Sequence, residues 1–159
     1  MKASSSAPVR VRRRAWWQLQ LELRRRGELR REAGAFLLGH RRRLSAVVTD
    51  IAYFDDLEPT SLNGAVHLTT VGYAQLWKKC RELGVEVLAD VHTHPGQHVG
   101  QSSIDQENPL IAQRGHVAII VPNFAGQDVG FDAVGVYGYH GDDGWRTEPS
   151  RLRHRRLWR

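Results

Sequence analysis

At 159 residues, 41% hydrophobic and 25% charged, the chain suits one soluble globular domain with a sizeable core. Its lone cysteine, Cys80, excludes an intrachain disulfide or a Cys-rich zinc site, and no apolar run approaches the roughly 18 to 20 residues of a membrane span. The net charge of +6 is uneven, with +10 over residues 1–43, −9 over 44–145 and +5 over 146–159.

Residues 1–9 are small and polar, lack the apolar centre of a signal peptide, and read as a disordered leader. With no signal peptide and one thiol, a reducing cytoplasm is the expected compartment. One domain is expected over 10–145, followed by a basic tail over 146–159. Between Ala15 and Arg26 the apolar residues alternate as in a strand, yet Trp16, Leu19 and Leu23 also share a helical stripe. Leu, Gln, Glu and Arg favour the helix, with Gly27 as its stop. Gly34–Gly39 and Leu44–Phe54 read as strands joined by a turn at Arg41-Arg42-Arg43, a hairpin. Asp55–Gly64 is a loop and Ala65–Leu68 a short strand. A helix capped by Thr69 or Thr70 then runs to Leu83, with Tyr73, Leu76, Trp77, Cys80 and Leu83 as its apolar stripe and Gly84 as its stop. On that stripe Cys80 is a core thiol, not a nucleophile.

Val85–Val91 is rich in β-branched residues and reads as a buried strand. His92 and His94 lie at its end, and the strand period of two projects both imidazoles from one face. Pro95-Gly96 turns the chain, and Asp105 falls near the start of a helix expected over Ser102–Ala112. His116–Pro122 and Val134–Tyr139 are two further strands, Gly141–Gly144 is a turn leading to Trp145, and Leu152–Arg159 is a short basic segment compatible with helix. Hairpins at both ends and a β-α-β unit between them predict an α/β domain, one mixed sheet with helices on its faces.

Two neutral imidazoles and a carboxylate are a normal ligand set for catalytic zinc, with the fourth position open. The plainer reading is that Ser102-x-x-Asp105 is only a helix-capping box. Ser103-x-x-Gln106 offers the same capping one residue later, so capping alone does not call for Asp105.

The spacing His92-x-His94, seven residues, Ser102-x-x-Asp105 resembles the zinc signature of the JAB/MPN metalloproteases, the JAMM motif. Glu32, about 60 residues upstream and just before the apolar run Ala33–Gly39, matches the glutamate of that pattern. The pattern's glycine, three residues after the glutamate, is Ala35 here, and Gly34 stands one place earlier. The resemblance covers roughly Trp16 to Tyr139. It implies a single JAB/MPN domain of cytidine-deaminase-like layout, with one Zn²⁺ held by His92, His94 and Asp105. It also implies Glu32 as the acid/base and Ser102 as a hydrogen-bond donor to the oxyanion.

The substrate implied is the bond after the C-terminal tail of a ubiquitin-like protein, in a conjugate or a precursor. That tail would lie beside a strand near the zinc. The short loops resemble those of bacterial members from anti-phage and ubiquitin-like conjugation operons. The rival from the same family is a non-catalytic MPN scaffold, which usually lacks a ligand or the glutamate; here all are present. A zinc deaminase needs Pro-Cys-x-x-Cys, which one cysteine excludes. No membrane is expected as a partner. The arginine clusters lack the interleaved aromatics of a nucleic-acid platform, so they point to an acidic protein surface or to solvent. His98, inside the loop after His94, is a further residue that could touch substrate.

Overall fold

The computed structural model describes residues 7–156. Its strands are β1 (Val9–Val11), β2 (Gly34–Arg41), β3 (Ala46–Tyr53), β4 (Glu86–Thr93), β5 (Val117–Val121), β6 (Gly135–Tyr139), β7 (Trp145–Thr147) and β8 (Leu152–His154). Its α-helices are α1 (Arg13–Gly27), α2 (Phe54–Leu57), α3 (Thr70–Leu83) and α4 (Ser103–Glu107). The strands form one mixed sheet in the order β7-β6-β5-β4-β2-β3-β1-β8, flanked by the helices. The hairpins β2–β3 and β6–β7 are antiparallel, and β4–α4–β5 is the parallel crossover between them, as the sequence predicts. No α-helix of the described residues is long and apolar enough to cross a membrane.

Strand β4 lies between β2 and β5, and six of its eight residues are buried. A strand covered on both faces is normally apolar throughout. Asp90 and His92 break that rule and place two buried ionisable groups at the centre of the sheet.

Helix α1 buries Trp16, Leu19 and Leu23 and leaves Leu21 more than half exposed, so the helical stripe prevails over the strand alternation. The left-handed residues that end it are Glu28 (φ 54°) and Leu29 (φ 56°), one step beyond the expected Gly27. On α3 the Thr69 hydroxyl caps the Val71 amide and Gly84 (φ 64°) ends the helix. The stripe is narrower than expected: Gly72, Leu76 and Cys80 are buried, whereas Trp77 and Leu83 are exposed. Burial raises the Cys80 thiol pKa, as suits a core thiol.

Several expectations are corrected. Strand β3 starts at Ala46, and Phe54–Leu57 turns into a short helix because Phe54 tucks against Phe36, their ring centroids 4.9 Å apart. Ala65–Leu68 is not a strand; no neighbour offers a ladder, and the His67 amide bonds back to the Ser61 carbonyl. Helix α4 stops at Glu107 and does not reach Ala112, because Pro109 disfavours helical geometry at Asn108. Val9, expected in a disordered leader, opens β1; residues 1–6 lie outside the described residues. The basic end is not a helical tail: β7 and β8 join the sheet, and β8 runs parallel to β1. Arg151 is buried there, donating to the Ala7 and Gly115 carbonyls and to Glu148. Residues 157–159 lie outside the described residues.

Gly34 pairs with His92 across β2 and β4. A Cβ at this position would meet the Phe54 ring at 2.3 Å and the Val91 carbonyl oxygen at 2.7 Å. Glycine is therefore required at 34, whereas Ala35 is accommodated in the core. The departure from the usual spacing is a property of this packing.

Candidate metal centre

Residues two apart on a strand share a face, and the His92 and His94 rings converge at the end of β4 with their Nε2 atoms 3.1 Å apart. Asp105 comes from α4. There the Ser102 hydroxyl accepts the Asp105 amide at 3.1 Å and Asp105 Oδ2 accepts the Ser102 amide at 2.8 Å, a complete capping box. The box fixes the carboxylate. Its Oδ1 lies 3.3 Å from His92 Nε2 and its Oδ2 lies 3.3 Å from His94 Nε2. Capping and ligation are thus compatible uses of one side chain.

These three donors all lie within 4.8 Å of one another and could hold a metal ion. Zinc bonds to nitrogen and oxygen of about 2.0 to 2.2 Å at a tetrahedral angle put neighbouring ligand atoms about 3.3 to 3.6 Å apart. The His92–His94 separation of 3.1 Å lies just under that spacing, and each imidazole meets a different Asp105 oxygen at 3.3 Å, Oδ1 for His92 and Oδ2 for His94. The electrostatics agree. Burial alone would lower the His92 pKa, but the Asp105 and Asp90 carboxylates outweigh it and the ring is pushed up to about 9. Burial alone would raise Asp105, yet His92, His94 and the Ser102 amide hold it well below the usual carboxylate range. The cluster favours a positive charge at its centre, which a divalent cation would supply.

A cavity of about 690 Å³ brings Glu32, Ser102, Asp105 and His92 onto one wall system. Glu32 is half-buried; burial raises its pKa, and the His92 and His94 imidazoles partly offset the rise. The apolar part of the lining includes Leu68, Tyr73, Leu110 and Trp145. His67 also lines the cavity, although its spacing did not single it out. His98 is exposed, is not part of the lining, and packs back over Gly100.

Three further features escape a sequence reading. Thr93, between the histidines, ties β4 to Ala33, the neighbour of Glu32, through both its amide and its hydroxyl. Asp90 pairs with His116, both buried, at 2.6 Å. Burial alone would raise Asp90, but His116 and His92 hold its pKa down. Finally, Asn123, Phe124 and Ala125 form a turn with three successive positive φ values, 56°, 53° and 56°. Its amides bind the site loop, Asn123 to the Gly96 carbonyl and Phe124 to the His94 carbonyl. The only advance signal was the His-x-His spacing itself, which places a residue such as Thr93 on the opposite face of β4.

The arginine clusters divide. Arg24 pairs with Asp128 at 2.7 Å, Arg25 with Glu22 at 2.8 Å, and Arg26 with Glu22, Asp55 and Asp56 at 3.1, 3.0 and 2.8 Å. Arg26 also lies 4.0 Å from the centre of the Tyr53 ring. These arginines are engaged within the fold.

A family model described as prokaryotic homologs of the JAB domain matches residues 15–131. Among solved structures, a protein of Desulfitobacterium hafniense is 18% identical, with 92% of this chain and 94% of that one covered and a TM-score of 0.67. A protein of Salinibacter ruber is 17% identical, with coverage of 89% and 88% and a TM-score of 0.58. A JAB1/MPN domain protein of Archaeoglobus fulgidus is 17% identical, with coverage of 87% and 93% and a TM-score of 0.47.

Proposed function

The chain belongs to the prokaryotic homologs of the JAB domain, a family that includes JAMM metalloproteases, and on that premise we propose that it is a zinc-dependent hydrolase of peptide or isopeptide bonds. The observation that carries this reading is the convergence of one donor atom each from His92, His94 and Asp105 to within 4.8 Å, with Glu32 and Ser102 lining the same cavity as His92 and Asp105. His92, His94 and Asp105 would hold the ion, which when bound supplies Lewis acidity toward water and the scissile carbonyl. Glu32 accepts the proton of the attacking water and returns it to the leaving amine. Its partial burial favours the proton-accepting step by raising its pKa. Ser102 uses an oxygen lone pair on the Asp105 amide, which leaves its own O–H free to donate to the carbonyl oxygen as charge develops.

The substrate proposed is the bond after the extended C-terminal tail of a ubiquitin-like protein, lying along the cavity in strand-like form. No covalent acyl-enzyme is expected, since Cys80 is buried on α3 outside the cavity lining. The test is cleavage of a ubiquitin-like protein fused at its C-terminus, chosen from the genomic neighbourhood of this chain, in ¹⁸O water. Cleavage abolished by chelation, indifferent to thiol alkylation and labelling the new carboxylate supports the proposal. A tail-probe adduct on Cys80, or activity without metal, overturns it. Zinc binding without cleavage of any such fusion favours a scaffold role.

A further inference from the structure

Asp90 and His116 have no part in the chemistry described so far, yet both are buried, each 2% exposed, in the middle of the sheet. His116 Nε2 meets Asp90 Oδ2 at 2.6 Å, which joins β4 to the start of β5. A buried ionisable pair loses much of its hydration, and an apolar pair of similar volume often joins two elements at least as well. Cross-linking alone therefore does not account for these residues.

The second oxygen of Asp90 supplies a reason. Asp90 and His92 are two apart on β4 and share a face. Asp90 Oδ1 faces His92 Nδ1 at 3.8 Å, and Nδ1 is buried with no hydrogen-bond partner among the described residues. The other ring nitrogen, Nε2, points the opposite way, to His94 and Asp105. A neutral imidazole that gives Nε2 to a metal carries its proton on Nδ1, and metal-bound histidines generally pass that N–H to a carboxylate or carbonyl.

We infer that Asp90 is a positioning residue: it is held through Oδ2 by His116, and its Oδ1 is the carboxylate oxygen nearest the unpartnered Nδ1 of His92. When the ring binds metal through Nε2, the 3.8 Å gap closes to a hydrogen bond in which Oδ1 accepts the Nδ1–H. The inference rests on the zinc reading given under Proposed function. Asp90 also borders the cavity, but the role inferred for it runs through the orientation and tautomer of His92.

The test measures zinc affinity by competition with a chromophoric chelator for wild type, His92→Ala, Asp90→Asn and His116→Gln. It also follows the His92 ring nitrogens of the zinc-loaded wild type by ¹⁵N NMR. Asp90→Asn is expected to weaken zinc binding about 10- to 100-fold. His116→Gln keeps an N–H donor facing Asp90 and should stay closer to wild type. In the wild type, Nδ1 should carry the proton and Nε2 the metal. Asp90→Asn that binds zinc as tightly as wild type overturns the positioning role. Wild type that binds no better than His92→Ala overturns the zinc reading instead, so the two failures are separable. Should Asp90→Asn not fold, the wild-type spectrum decides: metal on Nδ1 overturns the inference, and a protonated Nδ1 supports it.

Discussion

Thr93 holds Ala33 in both directions: its amide donates to the Ala33 carbonyl at 2.9 Å, and its hydroxyl accepts the Ala33 amide at 3.0 Å. The residue between the two histidines thus fixes the backbone beside Glu32, so one side-chain clamp links the His92–His94 pair to Glu32. Thr93→Val keeps the β-branched shape and removes the acceptor, leaving a buried amide unpaired at a cost of about 1 to 3 kcal/mol. Urea unfolding should show that loss. Zinc content should remain full while turnover drops, because Glu32 and not the ligand set is loosened.

The ligand set itself predicts one zinc per chain. His92→Ala removes a donor from a three-residue site and should lose most of the metal by elemental analysis. Full occupancy in that variant would refute the assignment of His92.

Glu32→Gln should retain zinc and fold while losing about 10² to 10⁴ in rate, the usual contribution of a positioned acid/base. The metal-free protein offers an independent check. Burial raises the Glu32 pKa above its ordinary 4.5, only partly offset by His92 and His94, so the neutral acid is favoured by folding. This group therefore makes the fold less stable as pH rises through its folded pKa. A ¹³C titration of the Glu32 carboxyl should show a midpoint above 4.5, and zinc should move it down, since a nearby cation favours the carboxylate.

Gly34→Ala tests the packing that sets the glycine position. The added methyl meets the Phe54 ring and the Val91 carbonyl within van der Waals distance, and overpacking of this kind costs about 1 to 3 kcal/mol. Ala35→Gly, in contrast, removes a buried methyl without a clash. Denaturant midpoints of the two variants should separate the steric effect from simple loss of side-chain volume.

The paired arginines make a different prediction from the one their clustering suggests. Arg26 is engaged by Glu22, Asp55 and Asp56, so Arg26→Ala should destabilise by about 1.5 to 3 kcal/mol, the range for hydrogen bonds to charged groups. Reversing Arg24, Arg25 and Arg26 together should unfold or destabilise the protein before it alters association with an acidic partner. Thermal melts of the variants decide between the structural and the steering role.

Much of this was legible in the chain because the signals are local and periodic. The two histidines stand one strand period apart, and Ser102 and Asp105 stand one capping-box interval apart, so both pairs could be placed before any tertiary contact was known. The rest depended on partners far away in sequence. Strands β1 and β8, three residues each, are too short to show a period and exist because each completes the other's ladder. The Asp90–His116 pair spans 26 residues and the Thr93–Ala33 clamp spans 60, and nothing at either end signals the other. The truncated α4 was foreseeable from Asn108-Pro109. The buried stripe of α3 is narrower than its apolar periodicity implies, because Trp77 and Leu83 extend beyond the buried face.

The two sides of the metal cluster are unequally anchored. His94 is held by its own amide on the Val121 carbonyl and by its carbonyl under Phe124, in a turn whose left-handed backbone L-residues adopt only when the surroundings enforce it. Asp105 rides on a five-residue helix tied toward β7 by the Trp145 indole and Gln106 carbonyl, 3.3 Å apart. An ion bound by His92, His94 and Asp105 would join the end of β4 to α4, two elements otherwise held by different neighbours. Amide exchange should slow through Ser103–Glu107 when zinc is added and stay unchanged at Phe124.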